Sequence, residues 1–124
     1  MEPFEISVDA DRRQLNMCMR GFWDSATFDA FAIEFVRALQ QLRRLGGAQT
    51  ALVDGSQFAV QSKEILARFG ALMQENAAFL AKRTASIVPA ELNRMQAERV
   101  AGSITSRDFK SRAEAEAWLA EESH

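Results

Sequence analysis

The beginning of the chain alternates between apolar and polar residues with a period of two. Phe4, Ile6 and Val8 fall on one side of the first segment, with polar residues between them. The alternation returns over residues 15–20, after a polar turn at residues 9–13. This pattern, with one apolar side, is typical of half-buried strands. Two such strands joined by a short polar connection predict a β-hairpin.

The next segment has the apolar spacing of a helix. Asp24 or Ser25 can cap its first turn by accepting a hydrogen bond from a free backbone N–H. The glycine pair Gly46-Gly47 is expected to end it. Apolar residues recur between these ends at spacings of three and four, which predicts an amphipathic helix facing a core; they are Phe28, Phe31, Phe35, Leu39 and Leu42.

A short apolar run follows and leads into a second helix. Residues 50–53 lack polar alternation, which predicts a central strand buried on both faces and ending at Asp54-Gly55. Ser62 is the expected cap of the helix, and Gly70 inside it predicts a close packing contact. The apolar side of this helix is expected to hold Ile65, Phe69, Leu72, Met73, Asn76 and Leu80.

The last part of the chain predicts two more strands and two more helices. Residues 84–88 form a strand candidate that Pro89 stops, and residues 91–100 predict a short helix. Residues 104–109 predict a last strand. Ser111 and Glu114 have the spacing of a capping box and predict the start of the final helix. Its apolar face is expected to contain Ala115, Trp118 and Leu119.

The predicted elements follow the order β-β-α-β-α-β-α-β-α. The connecting helices are long enough to cross back over a sheet, so successive strands are expected to be parallel neighbours. The initial hairpin adds an antiparallel pair. The sequence therefore predicts an α/β fold with a mixed β-sheet packed by helices. Its 124 residues contain no repeat, linker or low-complexity segment, which predicts a single domain over residues 1–124.

Composition narrows the choice of partners and compartment. The chain has 15 basic and 17 acidic residues, a formal net charge of −2, and no clustered positive face, so nucleic acid is not an expected partner. Cys18 is the only cysteine, which excludes an intramolecular disulfide. The sequence shows no signal-peptide pattern and no apolar stretch of about 20 residues. We therefore expect a cytoplasmic protein without membrane insertion.

The residue types that catalysis needs are scarce. The only histidine is the terminal His124, which removes Ser-His-Asp and Cys-His arrangements and metal sites built on several histidines. Ser62 and Lys63 are adjacent rather than on one helical face, and no glycine-rich phosphate loop is present. Cys18 is expected to be a packed, unreactive thiol. No catalytic residue, metal ligand or cofactor is predicted, and the chain is not expected to be an enzyme.

One segment is a candidate binding site. Residues 54–62 join the carboxyl end of the predicted central strand to a capped helix, where ligands and partners tend to bind in open α/β sheets. The alternative is a structural turn in which the Asp54 carboxylate binds its own backbone. The candidate binding residues are Asp54, Ser56, Phe58 and Ser62, with Phe58 expected to be exposed.

The whole pattern resembles the SpoIIAA-like fold, which includes STAS domains. Asp54-Gly55-Ser56 is similar to the end of the third strand in that family, and Ser62 is near the family's phosphoacceptor position. Residues 109–119 resemble the last strand and helix of uncharacterised bacterial SpoIIAA-like (STAS/SEC14-type) proteins. The resemblance implies a SpoIIAA-like fold that acts through binding. Residues 61–64 read Gln-Ser-Lys-Glu instead of the family's Asp-Ser-Ser-Gly, which argues against phosphorylation of Ser62.

Two functions of different classes remain open. The first is a non-enzymatic protein-interaction module with a regulatory role, which would use residues 54–62. The alternative is a small-molecule or lipid-binding domain with a pocket for an apolar ligand, lined by Met17, Met19, Met73 and Met95. A homodimer is a further expectation, because residues 4–8 are predicted to form a sheet edge beside an apolar patch at Phe22-Trp23.

Overall fold

In the computed structural model, which describes residues 2–88 and 106–121, the chain begins with the predicted hairpin. Strand β1 (Phe4–Asp9) pairs antiparallel with strand β2 (Gln14–Gly21), and Val8 lies opposite Leu15. The apolar residues of both strands lie on one face of the sheet, as the alternation predicts, because successive side chains of a strand point to opposite faces.

Three further strands complete a mixed sheet. Strands β3 (Thr50–Phe58), β4 (Arg83–Ile87) and β5 (Ser106–Phe109) follow in the chain. The order across the sheet is β1-β2-β3-β4-β5, and the pairs from β2 to β5 are parallel. The predicted α/β architecture with a mixed sheet is confirmed.

Helices α1 (Ser25–Arg44) and α2 (Lys63–Glu75) lie in the crossovers on either side of β3, and α3 (Arg112–Glu121) ends the described chain. The Asp24 side chain accepts a hydrogen bond from the Thr27 backbone N–H at 2.8 Å, which lowers the pKa of the Asp24 carboxyl. Ser111 accepts one from the Glu114 backbone N–H at 3.3 Å. The helix predicted over residues 91–100 lies outside the described residues.

Helix α2 is shorter than the apolar pattern predicts. Asn76 follows its last residue, and the Asn76 side-chain amide donates to the Leu72 carbonyl oxygen at 2.9 Å. This bond satisfies a carbonyl at the helix end, and a short 3₁₀ turn (Ala77–Phe79) follows. The placement of Asn76 and Leu80 on the helix is therefore wrong.

The close contact predicted at Gly70 is also wrong. A Cβ atom built on Gly70 would meet no described atom within 4 Å. The surroundings on that side of α2 therefore do not require a glycine. Its hydrogen side chain leaves open space rather than permitting a tight approach.

Strand β3 extends beyond the predicted end at Asp54-Gly55. Strand β2 is long enough to continue the pairing, with Arg20 opposite Gln57 and Gly21 opposite Phe58 after an irregularity in the register. Backbone pairing thus overrides the local turn propensity of Asp54-Gly55. As a consequence, most of the segment predicted as a loop is strand, and only residues 59–62 connect β3 to α2.

The two faces of the sheet carry separate apolar clusters. The larger one packs α1 and α2 against β1, β2 and β3 around the buried Trp23. The smaller one packs α3 against the opposite face of β3 and β4, through Leu52, Ala85 and Leu119. The prediction of an apolar patch at both Phe22 and Trp23 is half wrong, because Trp23 is 2% exposed whereas Phe22 is 66% exposed.

Candidate functional site

The Asp54 carboxylate, the first of the candidate binding groups, bonds to its own segment. One Asp54 oxygen accepts hydrogen bonds from the Ser56 backbone N–H at 3.0 Å and from the Ser56 hydroxyl at 2.7 Å. The other lies 3.9 Å from a guanidinium nitrogen of Arg112 at the start of α3. The bonds to Ser56 match the alternative prediction, a structural turn in which the Asp54 carboxylate binds the backbone of its own segment. It leaves Ser56 exposed beside a carboxylate that already has partners.

Phe58 does not have the exposed position predicted for it. The ring is half-buried, with its centroid 5.0 Å from that of Trp23 and 6.0 Å from that of Phe69. The continuation of β3 places this side chain on the face beneath α1 and α2. Phe58 therefore contributes to the aromatic part of the larger core.

Ser62 is the N-cap of α2, as predicted. Its hydroxyl accepts a hydrogen bond from the Ile65 backbone N–H at 3.2 Å. Of the four candidate binding residues, the structure brings Asp54 and Ser56 into direct contact. It gives Phe58 and Ser62 separate roles, in the core and at the helix start.

Gln61 has a structural role that the sequence did not predict. Its side-chain NH₂ donates to the backbone oxygens of Gly21 at 2.9 Å and Ala59 at 2.7 Å, and its side-chain oxygen accepts from the Trp23 backbone N–H at 2.9 Å. The side chain is 5% exposed. Its hydrogen bonds therefore connect the β2–α1 connection to the β3–α2 connection. No local pattern distinguishes such a glutamine from a solvated one.

Cys18 lies on the sheet face opposite to Met17 and Met19, and its side chain is half-buried. Burial raises the pKa of the Cys18 thiol, the positive charge of Arg20 opposes this shift, and the negative charges of Asp54 and Glu5 add to it. A raised pKa keeps the thiol protonated at neutral pH, whereas a nucleophilic cysteine requires the thiolate. The thiol is thus less deeply packed than predicted, and its surroundings oppose reactivity.

Over residues 2–88 and 106–121, no three histidine, cysteine, aspartate or glutamate side chains cluster closely enough to hold a metal ion. Over the same residues, no helix combines the length and apolar character that crossing a bilayer requires.

A cavity of about 140 Å³ lies between the sheet and helices α1 and α2. Among the described residues, its lining contains no charged side chain. Three of the four methionines predicted to line an apolar pocket are part of it, namely Met17, Met19 and Met73; Met95 lies outside the described residues. Aromatic side chains form much of the remaining wall, including Phe31, Phe35, Phe58 and Phe69.

The size and lining of this cavity suit a small apolar molecule. Protein interiors are normally close-packed, with few voids larger than a water molecule. An engineered apolar cavity of about 150 Å³ stays dry and binds benzene. A comparable volume lined by carbon and sulfur atoms can therefore hold a molecule of that size through dispersion contacts.

Two alanine-to-leucine substitutions test whether this space is open. Ala51 lines the cavity, and Ala85 is packed into the smaller cluster on the opposite face of the sheet. Ala51→Leu is expected to leave the free energy of unfolding unchanged or to raise it by about 1 kcal/mol, since the added carbons fill empty space. Ala85→Leu is expected to lower it by about 1–3 kcal/mol through overpacking. Urea denaturation measures both, and equal destabilisation would mean that the space beside Ala51 is closed.

One solved structure is similar to this chain over nearly its whole length. It is that of an uncharacterized protein from the DUF3478 family with a SpoIIAA-like fold, from Shewanella loihica PV-4. The match has a TM-score of 0.67 at 20% sequence identity, and covers 96% of this chain and 95% of that one. No family model matches the sequence, and no curated protein matches it. The chain has a SpoIIAA-like fold, which confirms the expectation drawn from the family resemblance.

Proposed function

We propose that this chain is a non-enzymatic binding domain whose ligand is a small apolar molecule held between the sheet and helices α1 and α2. The observation that carries the proposal is the cavity of about 140 Å³ among aromatic and methionine side chains. Ligand sites in proteins are typically concave and mostly apolar, with a small number of polar groups that fix orientation. The described lining of this cavity has that composition.

The polar content of the lining favours binding over catalysis. Its polar side chains within the described part of the chain are those of Gln61, Thr84 and Ser86. None of these titrates near neutral pH, so none is suited to act as a general acid or base there. A catalytic cysteine is not a good alternative, because Cys18 lies on the other face of the sheet and has a raised pKa.

Titration with toluene, followed through the ¹³C-labelled methyl groups of methionine, tests the proposal. We expect saturable shifts at Met17, Met19 and Met73, with a Kd of roughly 1 mM or tighter for a ligand of this size. Ala51→Leu provides the control, since its larger side chain occupies the cavity. Shifts that do not saturate, or that are equally large in Ala51→Leu, would contradict the proposal.

Protein interaction with a regulatory role is the second candidate function. Its support is the exposure of Phe22 (66%) and Val60 (41%) on two neighbouring connections, which are joined by a hydrogen bond from the Ala59 N–H to the Gly21 oxygen at 3.2 Å.

Native mass spectrometry of protein purified from its own host separates the two candidates. A retained small molecule supports ligand binding, a co-purifying protein supports interaction, and a doubled mass supports a homodimer.

A further inference from the structure

Two hydroxyl-bearing side chains line the mostly apolar cavity on the β4 side. Thr84 and Ser86 are two residues apart on one strand, so both point to the face beneath α1 and α2. Thr84 is 8% exposed. Within residues 2–88 and 106–121, neither hydroxyl forms a hydrogen bond with another residue. Buried polar groups nearly always have a partner, so an unpaired one calls for an explanation.

Within the described residues, no neighbouring side chain is hydrogen-bonded to either hydroxyl. On β3, Thr84 lies opposite Ala51 and Ser86 lies opposite Val53. On β5, Thr84 lies opposite Ser106 and Ser86 lies opposite Asp108, and neither of these β5 side chains is part of the described cavity lining. The remaining polar side chain of the described lining belongs to Gln61, whose amide group is already bonded to the backbone of Gly21, Trp23 and Ala59. The hydroxyl pair therefore forms the polar part of the cavity wall on the β4 side.

We infer that the ligand has an apolar body and one uncharged hydrogen-bonding group, and that the hydroxyls of Thr84 and Ser86 bind this group. The inference rests on the proposed function and names the class of ligand. Neutral phenols, alcohols and ketones belong to this class. Carboxylates do not, because an ionised carboxylate in the cavity would face no positive charge in the described lining.

We expect the fold to form without the hydroxyl of Thr84. Valine has nearly the same shape, suits a strand equally well, and has no polar atom to desolvate. We therefore expect Thr84→Val to raise the melting temperature of the free protein by about 3 °C. A polar group that lowers stability and has no structural role is typical of residues that are kept for their function.

Thr50→Val is the matched control for this substitution. Thr50 is also a buried strand threonine, but its hydroxyl donates to the Gln14 side-chain oxygen at 2.9 Å, and it is not part of the cavity lining. Thr50→Val is expected to lower the melting temperature and to leave ligand selectivity unchanged. Opposite temperature shifts for the two variants would identify the Thr84 hydroxyl as unpaired.

The decisive measurement compares toluene, 4-methylphenol and 4-methylbenzoate by NMR titration against wild type, Thr84→Val, Ser86→Ala and Thr50→Val. These ligands share one apolar body and differ in the attached group. We expect 4-methylphenol to bind wild type and 4-methylbenzoate not to bind. Each cavity variant should weaken 4-methylphenol binding about tenfold, as expected for a lost hydrogen bond in a partly buried site, and change toluene binding less than about twofold.

The outcomes separate the inference from the function on which it rests. If toluene binds but both cavity variants leave 4-methylphenol binding unchanged, the inference is overturned and the proposed function stands. Binding of 4-methylbenzoate as tight as that of 4-methylphenol also overturns it. If none of the three ligands binds, the proposed function itself fails. Ser86→Ala keeps the comparison decisive should Thr84→Val fold poorly.

Discussion

Trp23→Ala is expected to lower the free energy of unfolding by about 4 kcal/mol, the range typical of removing a fully buried large aromatic side chain. Small domains have a total stability of about 5–15 kcal/mol, so the variant should be close to unfolding at ordinary temperatures. It also removes the hydrogen bond from the indole N–H to the Arg20 backbone oxygen, which is 2.9 Å long.

The large effect follows from the position of Trp23 among four elements. Its ring contacts β1, α1, β3 and α2, with ring centroids 5.0–5.8 Å apart; the partners are Phe4 (5.8 Å), Phe31 (5.1 Å), Phe58 (5.0 Å) and Phe69 (5.6 Å). Aromatic pairs at these distances add to the stability gained from burial alone. Truncation at this point therefore weakens the contacts of the hairpin with both helices.

Urea denaturation followed by circular dichroism measures the loss, and Phe22→Ala is the control. Phe22 is the adjacent residue and an aromatic side chain, yet it is exposed to solvent. Its replacement should change stability by less than about 0.5 kcal/mol. Equal losses in the two variants, or a loss below about 1 kcal/mol for Trp23→Ala, would show that the packing described for Trp23 is incorrect.

Gln61→Met is expected to destabilise the fold by about 2 kcal/mol. Methionine keeps the length of the side chain but removes both donors and the acceptor. The Trp23 N–H then loses its partner in a buried place. The oxygens of Gly21 and Ala59, on exposed residues, each lose one donor, and the Gly21 oxygen keeps its bond from the Ala59 N–H. A buried polar group that loses its partner costs about 1–3 kcal/mol, which applies to the Trp23 N–H, and the two partly exposed oxygens add less because water can replace the lost donor.

Gln57→Met is the matched control, because it makes the same chemical change at an exposed position four residues earlier. It should be nearly neutral. Hydrogen exchange gives a second readout: the Trp23 amide should exchange much faster in Gln61→Met than in wild type, while the amides in the middle of α1 change less. A Trp23 amide that stays as protected as in wild type would mean that Gln61 does not hold it.

The sequence predicts most of the fold because the relevant signals are local. The alternation in residues 4–8 and 15–20 follows from the two-residue repeat of each hairpin strand. The spacing from Phe28 to Leu42 follows from the 3.6-residue turn of α1. The caps at Asp24 and Ser62 are equally local, since each side chain bonds to a backbone N–H three residues ahead.

Features that depend on distant parts of the chain could not be predicted in the same way. The extension of β3 to Phe58 requires pairing with the end of β2. Which ring of the pair Phe22-Trp23 points inward depends on the helices that pack over the hairpin. The role of Gln61 depends on two connections that meet only in the folded chain. The amino-acid composition predicts a methionine-lined pocket, whereas the position of the pocket among α1, α2 and the sheet depends on three-dimensional packing.

The strand order has a consequence for synthesis. Each strand after the first pairs with the strand that precedes it in the sequence, so none has to be inserted between two strands already paired. Proteins emerge from the ribosome amino terminus first, at about 5–20 residues per second. The growing chain can therefore enlarge its sheet one strand at a time at a single edge, and the hairpin and α1 are available as a template before the later strands have been translated.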